Sequence, residues 1–476
     1  MSATRIEKDS MGEMPVPADA LYGASTARAV ANFPIANRPL PPAVIHAFGH
    51  LKAACAQANK DLGKLPPELA DAIIAAADEV AQGKHDAHFP VDVYQTGSGT
   101  STNMNANEVI ASIANDKLGL GATTKAEGGV HPNDHVNMGQ SSNDTFPTAM
   151  HIAAVSALDN CLLPAATGLE EALRAKSDEW DSIVKIGRTH LMDATPIRVG
   201  QVFAGYIGNA ANAKNETIEA WDELRGALPI GGTAVGTGIN THPDFGKRVC
   251  DVLSIRVFGV EKADNENFTE SFNHPVSQAC KDEFVSAHAK LKTIAVSLSK
   301  IANDIRHLGS GPRCGIGELN LPAIQPGSSI MPGKVNPVIC ESVMQVCCRV
   351  IGNDATVTTA GLGGVGSIFE LNVAMPVMID AFLESVTLLS NACNVFVDKL
   401  LVGLEVNEAR CAELLDASLM TITALAPEIG YDKCSDLAKQ AHKEGKTIKQ
   451  LVGELDLMPA ERLDELMDYD AMTRPG

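Results

Sequence analysis

The chain has 476 residues, enough for a large core and for two or three domains. Hydrophobic residues make up 45% and charged residues 20%, while aromatics reach only 4%, so the composition is that of a globular protein leaning towards helix over sheet. The formal net charge of −20 argues against nucleic acid and anionic membrane as partners, and any anionic ligand must find its cationic contacts concentrated locally.

Residues 1–140 read as an N-terminal domain of shorter helical pieces and polar loops. Two of those polar stretches are TGSGTSTNMN (96–105) and HPNDHVNMGQSSND (131–144). A central domain of long helices follows over 141–395. Its first apolar series is Val155, Leu158, Leu162, Leu169 and Leu173, with Pro164 placed to bend the helix. The stretch GRTHLMDATP (187–196) interrupts the helical pattern. From Phe284 the series Leu291, Ile294, Leu298, Ile301, Ile305 and Leu308 alternates steps of three and four after its first, as one buried helical stripe requires. GSSIMPGKVNP (327–337) is glycine- and proline-rich and reads as a loop. Phe369–Leu404 is apolar all round, as in a helix buried on several sides. Residues 396–476 form a small C-terminal helical domain with Pro427 and Pro459. The expected fold is mainly α, an elongated helical bundle, whose broad apolar faces call for a homo-oligomer.

Eleven cysteines show no C-x-x-C spacing, and the adjacent Cys347 and Cys348 suit neither a zinc site nor an easy disulfide. The start is polar, and no run of eighteen apolar residues reads as a membrane span. A reducing cytoplasm is the expected compartment.

The four polar stretches carry the candidate chemistry. Taken singly, their serines and asparagines read as helix caps, His190 as a structural imidazole and Lys334 as a solvated amine. Together they supply hydroxyls, amides, backbone N–H groups, an imidazole and an ammonium, with few carboxylates at their centres. That inventory suits a small dicarboxylate and not a divalent metal. Two further patterns do not meet their structural requirements. GLGGVG (361–366) has dinucleotide-binding spacing but helical surroundings. His131 and His135 are four apart, but Pro132 and Asn133 between them point to a turn, with no acidic third ligand at motif spacing.

GSSIMPGKVNP resembles the signature of the fumarase/aspartase superfamily, and the other three stretches, with GGTAVGTGIN (231–240) and FELNV (369–373), resemble its remaining motifs in order. Gly333 before Lys334 and the pair Ser141–Ser142 are most similar to class II fumarate hydratases. The resemblance implies reversible anti addition of water to fumarate, giving L-malate, a tricarboxylic acid cycle reaction, with no metal and no organic cofactor. It also implies a homotetramer with a twenty-helix core and active sites shared by three subunits.

By the same resemblance Ser328 is the base. A serine hydroxyl titrates far above neutral, so its oxyanion needs backbone N–H donors and a nearby cation. Lys334 and Asn336 would hold the carboxylate as it gains charge in an aci-carboxylate intermediate. His190, paired with Glu341 and acting through a water, would protonate the leaving hydroxide. Ser98, Gly99, Thr100, Ser141, Ser142, Asn143, Thr189, Ser329 and Val335 would complete the substrate ring. His131, Pro132, Asn133 and Asp134 match a second anion site, but Gly128 and Gly129 stand where some relatives carry a basic pair. VNPVICES lies between fumarase and aspartase habits, so aspartate ammonia-lyase, or another fumarate-releasing lyase, is the alternative. A non-catalytic helical protein is the third reading, opposed by the intact set Ser328, Lys334, Asn336, His190 and Glu341.

Overall fold

The computed structural model describes residues 3–261, 263 and 267–475. The chain is mainly helical, as its composition requires, with four short two-stranded sheets among the described residues. It divides into two compact units. One comprises Met1–Pro164, Asn215–Thr293 and Cys348–Leu389; the other comprises Ala165–Lys214, Ile294–Cys347 and Ser390–Gly476.

In the first unit, strands Thr4–Asp9 and Gly12–Pro17 pair antiparallel. This hairpin falls in a region the sequence pattern assigned to helices and loops. Helices Pro42–Asp61 and Pro67–Ala81 each carry proline in the first turn, where its missing N–H costs nothing. Helix Thr100–Lys117 and helix Ser142–Ala157 complete the frame that holds the polar motifs. The Phe48 and Phe146 rings meet at 6.0 Å between them, tying Ser142–Ala157 to Pro42–Asp61.

The bend expected at Pro164 is a local widening of the helix. Residues Leu158–Leu162 form a π segment, and α-helix resumes at Leu163–Glu179. Pro164 has no N–H to return to the carbonyl four residues back, so the ladder is already interrupted there. The run Ser142–Glu179 is long and apolar enough in one window to cross a membrane by length and composition alone. Its residues Phe146, Met150, Ile152 and Val155 are instead buried inside the unit.

The long apolar stripe forms helix Asp282–Leu308. Phe284 and Leu291 are buried in the first unit, and Ile294, Leu298, Ile301 and Ile305 in the second. Apolar Phe369–Leu404 is not one helix: a hairpin of two-residue strands at Ser367–Ile368 and Leu371–Asn372 precedes helix Met375–Phe396.

The second unit holds the antiparallel hairpin Val184–Thr189 with Met192–Arg198. Near its C-terminus, Leu425, Cys434, Leu437, Ala441, Ile448, Leu451, Val452, Leu463 and Met467 build a separate small core. Helix Tyr431–Glu444 supplies three of those residues at helical spacing.

Candidate active site

The polar motifs are not simply loops. In TGSGTSTNMN only the first four residues lie outside helix; Thr100 opens the helix Thr100–Lys117. Gly99 precedes it at φ 71, where a Cβ would also fall 1.9 Å from the Phe146 ring, so the position admits only glycine. Ser142 likewise opens the helix Ser142–Ala157. Thr100 Oγ1 hydrogen-bonds Ser142 Oγ at 2.7 Å and Ser98 Oγ at 2.8 Å. Two helix N-termini are thus joined through hydroxyls. Free N–H groups and aligned peptide dipoles at such ends favour an anion.

What fixes this arrangement is Asp144. It is fully buried and closes a capping box with Ser141, whose N–H it accepts at 2.9 Å. Its other oxygen accepts Thr233 N–H at 2.8 Å and Gly231 N–H at 3.2 Å. Asn143 Nδ2 reaches the same loop, donating to the Ala234 carbonyl at 2.8 Å. The motif GGTAVGTGIN is thereby bound to SSND. A cavity of about 420 Å³ opens beside them, lined by Thr100, Ser141, Ser142, Thr233, Asn107 and Asn133 among others. FELNV belongs to the same neighbourhood, since Met375 N–H, two residues on, donates to the Gly97 carbonyl at 3.0 Å.

Lys52 lies behind the cavity wall, fully buried. It donates to Gln140 Oε1 at 2.9 Å and Asn137 Oδ1 at 3.1 Å. Asn103 and Asn107 donate to that same Asn137 oxygen. Burial pulls the Lys52 ammonium down to about 8 and pushes the Asp144 carboxyl up to about 6, the latter opposed by its backbone donors.

The second-site motif is a helical turn, not the simple turn its proline implied. Pro132–Val136 form a π turn capped by His131, whose Nδ1 accepts Asp134 N–H at 3.2 Å and Asn133 N–H at 3.3 Å. A Cβ at Gly129 would lie 2.4 Å from Asn115 Oδ1, the atom that accepts Val130 N–H. A basic side chain at that position requires Asn115 and Leu120 to give way.

In the second unit, GRTHLMDATP is a β-hairpin. Thr189 and Met192 pair across a two-residue turn whose central residues, His190 and Leu191, lie at φ 56 and φ 61. Two left-handed residues are the mark of the type I′ hairpin turn, a position normally taken by asparagine and glycine. The strain is held by the strand beneath. Arg188 and Lys185 both bind the buried carboxylate of Glu318. His190 and Thr189 are left exposed at the tip.

The stretch 327–337 is a closed loop, as its glycines and prolines require. Gly327 N–H donates to the Lys334 carbonyl at 2.8 Å, and Asn336 Nδ2 to the Gly327 carbonyl at 2.7 Å. Ser328 Oγ accepts Met331 N–H at 3.1 Å and Ile330 N–H at 3.2 Å. A serine oxygen facing two backbone N–H groups is one whose negative charge they would stabilise. Ser329, Lys334 and Val335 are exposed, and Glu341 sits in the first turn of the helix Val338–Gly361. Among the described residues no hydrogen bond or ion pair links His190 to Glu341, or Lys334 to another side chain. Each motif is therefore locally ordered: His190, Ser329 and Lys334 are exposed, while Ser328 and Asn336 are half-buried and bonded to their own loop.

Sequence reasoning missed Lys52, Asp144, Glu318 and Thr233, all buried. Only Asp144 carried a visible signal, the S-x-x-D spacing of a capping box.

Comparison with known proteins agrees with these motifs. The family pattern described as "Lyase" matches residues 12–352, and that described as "Fumarase C C-terminus" matches 422–474. The class II fumarate hydratase of Corynebacterium glutamicum is 54% identical over 97% of this chain and 93% of its own length. That of Mycobacterium tuberculosis is 51% identical over 99% and 96%. The crystal structure of a class II fumarase from Schistosoma mansoni superposes with a TM-score of 0.94 at 37% identity, covering 99% of this chain and all of the other. With its motifs in order and half or more of its residues identical to the first two of these relatives over nearly the full length, the chain belongs to the class II fumarate hydratase family.

Proposed function

We propose that the protein catalyses the reversible hydration of fumarate to L-malate. One observation carries the reading beyond family membership: two helix N-termini joined through Thr100, Ser142 and Ser98 at a hydroxyl- and amide-walled cavity. Such a site offers neutral donors and dipoles to a carboxylate without an ion pair.

In the malate direction Ser328 removes the carbon-bound proton, its oxyanion supported by the Ile330 and Met331 N–H groups that already face it. The electron pair moves onto the adjacent carboxylate, giving an aci-carboxylate. Lys334 and Asn336 bind that group more strongly as its charge rises, which lowers the barrier. His190, assisted by Glu341, delivers a proton to the departing hydroxide through a water. Ser98, Gly99, Thr100, Ser141, Ser142, Asn143, Thr189, Ser329 and Val335 orient the dicarboxylate, and His131, Pro132, Asn133 and Asp134 offer a second anion site.

The same reading makes the protein a homotetramer whose sites draw on three subunits. Its support is the exposure of apolar side chains within the family motifs: Leu191 at 79%, Ile330 at 84% and Phe369 at 87%. Neighbouring subunits would cover them. The segments 1–140, 141–395 and 396–476 would then be the site-bearing, bundle-forming and C-terminal domains. A cytoplasmic place in the tricarboxylic acid cycle agrees with eleven cysteines that show no C-x-x-C spacing.

The test is proton exchange in deuterium oxide. The mechanism requires deuterium at one of the two methylene positions of L-malate, the one anti to the hydroxyl. Label at both positions, or none beside net turnover, overturns the carbanion route.

A further inference from the structure

We propose that the Thr233 hydroxyl is a further substrate-contacting group, a donor to the dicarboxylate in the cavity beside Thr100 and Ser142; the assignment rests on the hydratase reading above. Thr233 lines that cavity yet is only 4% exposed. Both of its backbone groups are used: its N–H goes to Asp144 Oδ2 at 2.8 Å, and its carbonyl accepts Gln278 Nε2–H at 2.7 Å. Its Oγ1 alone is buried without a hydrogen-bond partner. A buried hydroxyl left unpaired is costly and is found where a ligand or water completes it.

The backbone gives an independent indication. Thr233 lies at φ 55, and a β-branched residue at positive φ is a genuine outlier. Asp144 and Gln278 hold it there from both sides. Strain over-determined in this way collects at ligand-binding sites. The preceding Gly232 leaves room for this close approach, since a Cβ there would stand 2.6 Å from Gln278 Oε1. The outcome of all these constraints is a single buried hydroxyl on a cavity-lining residue, chemically matched to a carboxylate oxygen and without a hydrogen-bond partner in the protein.

The experiment compares Thr233→Val, which keeps shape and removes the hydroxyl, with Thr233→Ser, which keeps the hydroxyl. Thr233→Ala serves in place of valine if that variant does not melt cooperatively. Three readouts are taken: kcat/KM for L-malate, affinity for succinate as a non-reacting dicarboxylate by calorimetry, and Tm. The valine variant should lose roughly tenfold to a hundredfold in both kcat/KM and succinate affinity, with the serine variant within about threefold of native and Tm unchanged. Native turnover with an unimpaired valine variant overturns this assignment alone. So do equal losses in valine and serine variants, which would make the residue structural. Native protein that neither turns over malate nor binds succinate overturns the hydratase reading and Thr233's role with it.

Discussion

Glu318 accepts both arms of the Arg188 guanidinium, at 2.8 Å and 3.0 Å, one residue before the strand end that carries Thr189 and His190. Lys185, three residues earlier on that strand and across the irregularity between Ile186 and Arg188, adds its ammonium to the same carboxylate at 3.1 Å. Glu318 is almost wholly enclosed, so two cations of one short strand share one buried anion. The strained tip that presents His190 stands on this anchor.

Replacing Glu318 with glutamine keeps the shape and removes the charge, leaving Lys185 and Arg188 uncompensated. Breaking a buried pair in this way costs about 3–5 kcal/mol. The urea midpoint of Glu318→Gln should fall accordingly, and turnover should fall with it as the His190 hairpin loosens. A native midpoint would show that the cluster is solvated and holds nothing.

Lys52 and Asp144 predict an unusual pH dependence of stability. The Asp144 carboxyl is raised from 3.8 to about 6 on folding. The folded state therefore binds the extra proton, and this contribution is full below 3.8 and lost as pH rises through 6. The Lys52 amine is lowered from 10.5 to about 8, so its contribution is full above 10.5 and lost as pH falls through 8. Both groups are charged and least favourable between pH 6 and 8, by roughly 3 kcal/mol each at one pKa unit per 1.36 kcal/mol. Native Tm should show a trough in that window relative to the double variant Lys52→Met, Asp144→Asn. Parallel curves would contradict it.

The capping box at Ser141 and Asp144 leaves a local signal, a serine three residues before an aspartate at the head of an apolar run, but the sequence reading stopped at helix-capping serines and asparagines. The stripe ending at Leu308 was legible because its period is local. The hairpin at His190 was not. Its turn holds histidine and leucine where the turn geometry favours asparagine and glycine, and only the distant Glu318 anchor explains why it persists. Lys52 carries no local signal, since its partners Asn137 and Gln140 lie far along the chain. Long-range partners leave no trace in periodicity.

Ser328→Ala should lower turnover by roughly a hundredfold or more, because it removes the base, with Tm unchanged for a residue on an irregular loop. Lys334→Met should weaken binding and turnover together, since its ammonium answers charge in both ground and transition states. Near-native kinetics in either variant would remove that residue from the chemistry.

Light scattering should give a mass four times the 50.1 kDa of one chain. A monomer that retains full activity would contradict sites shared between subunits.

The central claim is hydration of fumarate, and it is tested most directly by ultraviolet absorbance of the purified protein with L-malate or L-aspartate in separate cuvettes. The account predicts that the fumarate double bond appears with malate alone. Appearance with aspartate alone would keep the fold and the Ser328 base but replace water with ammonia as the leaving group, and silence with both would contradict the account.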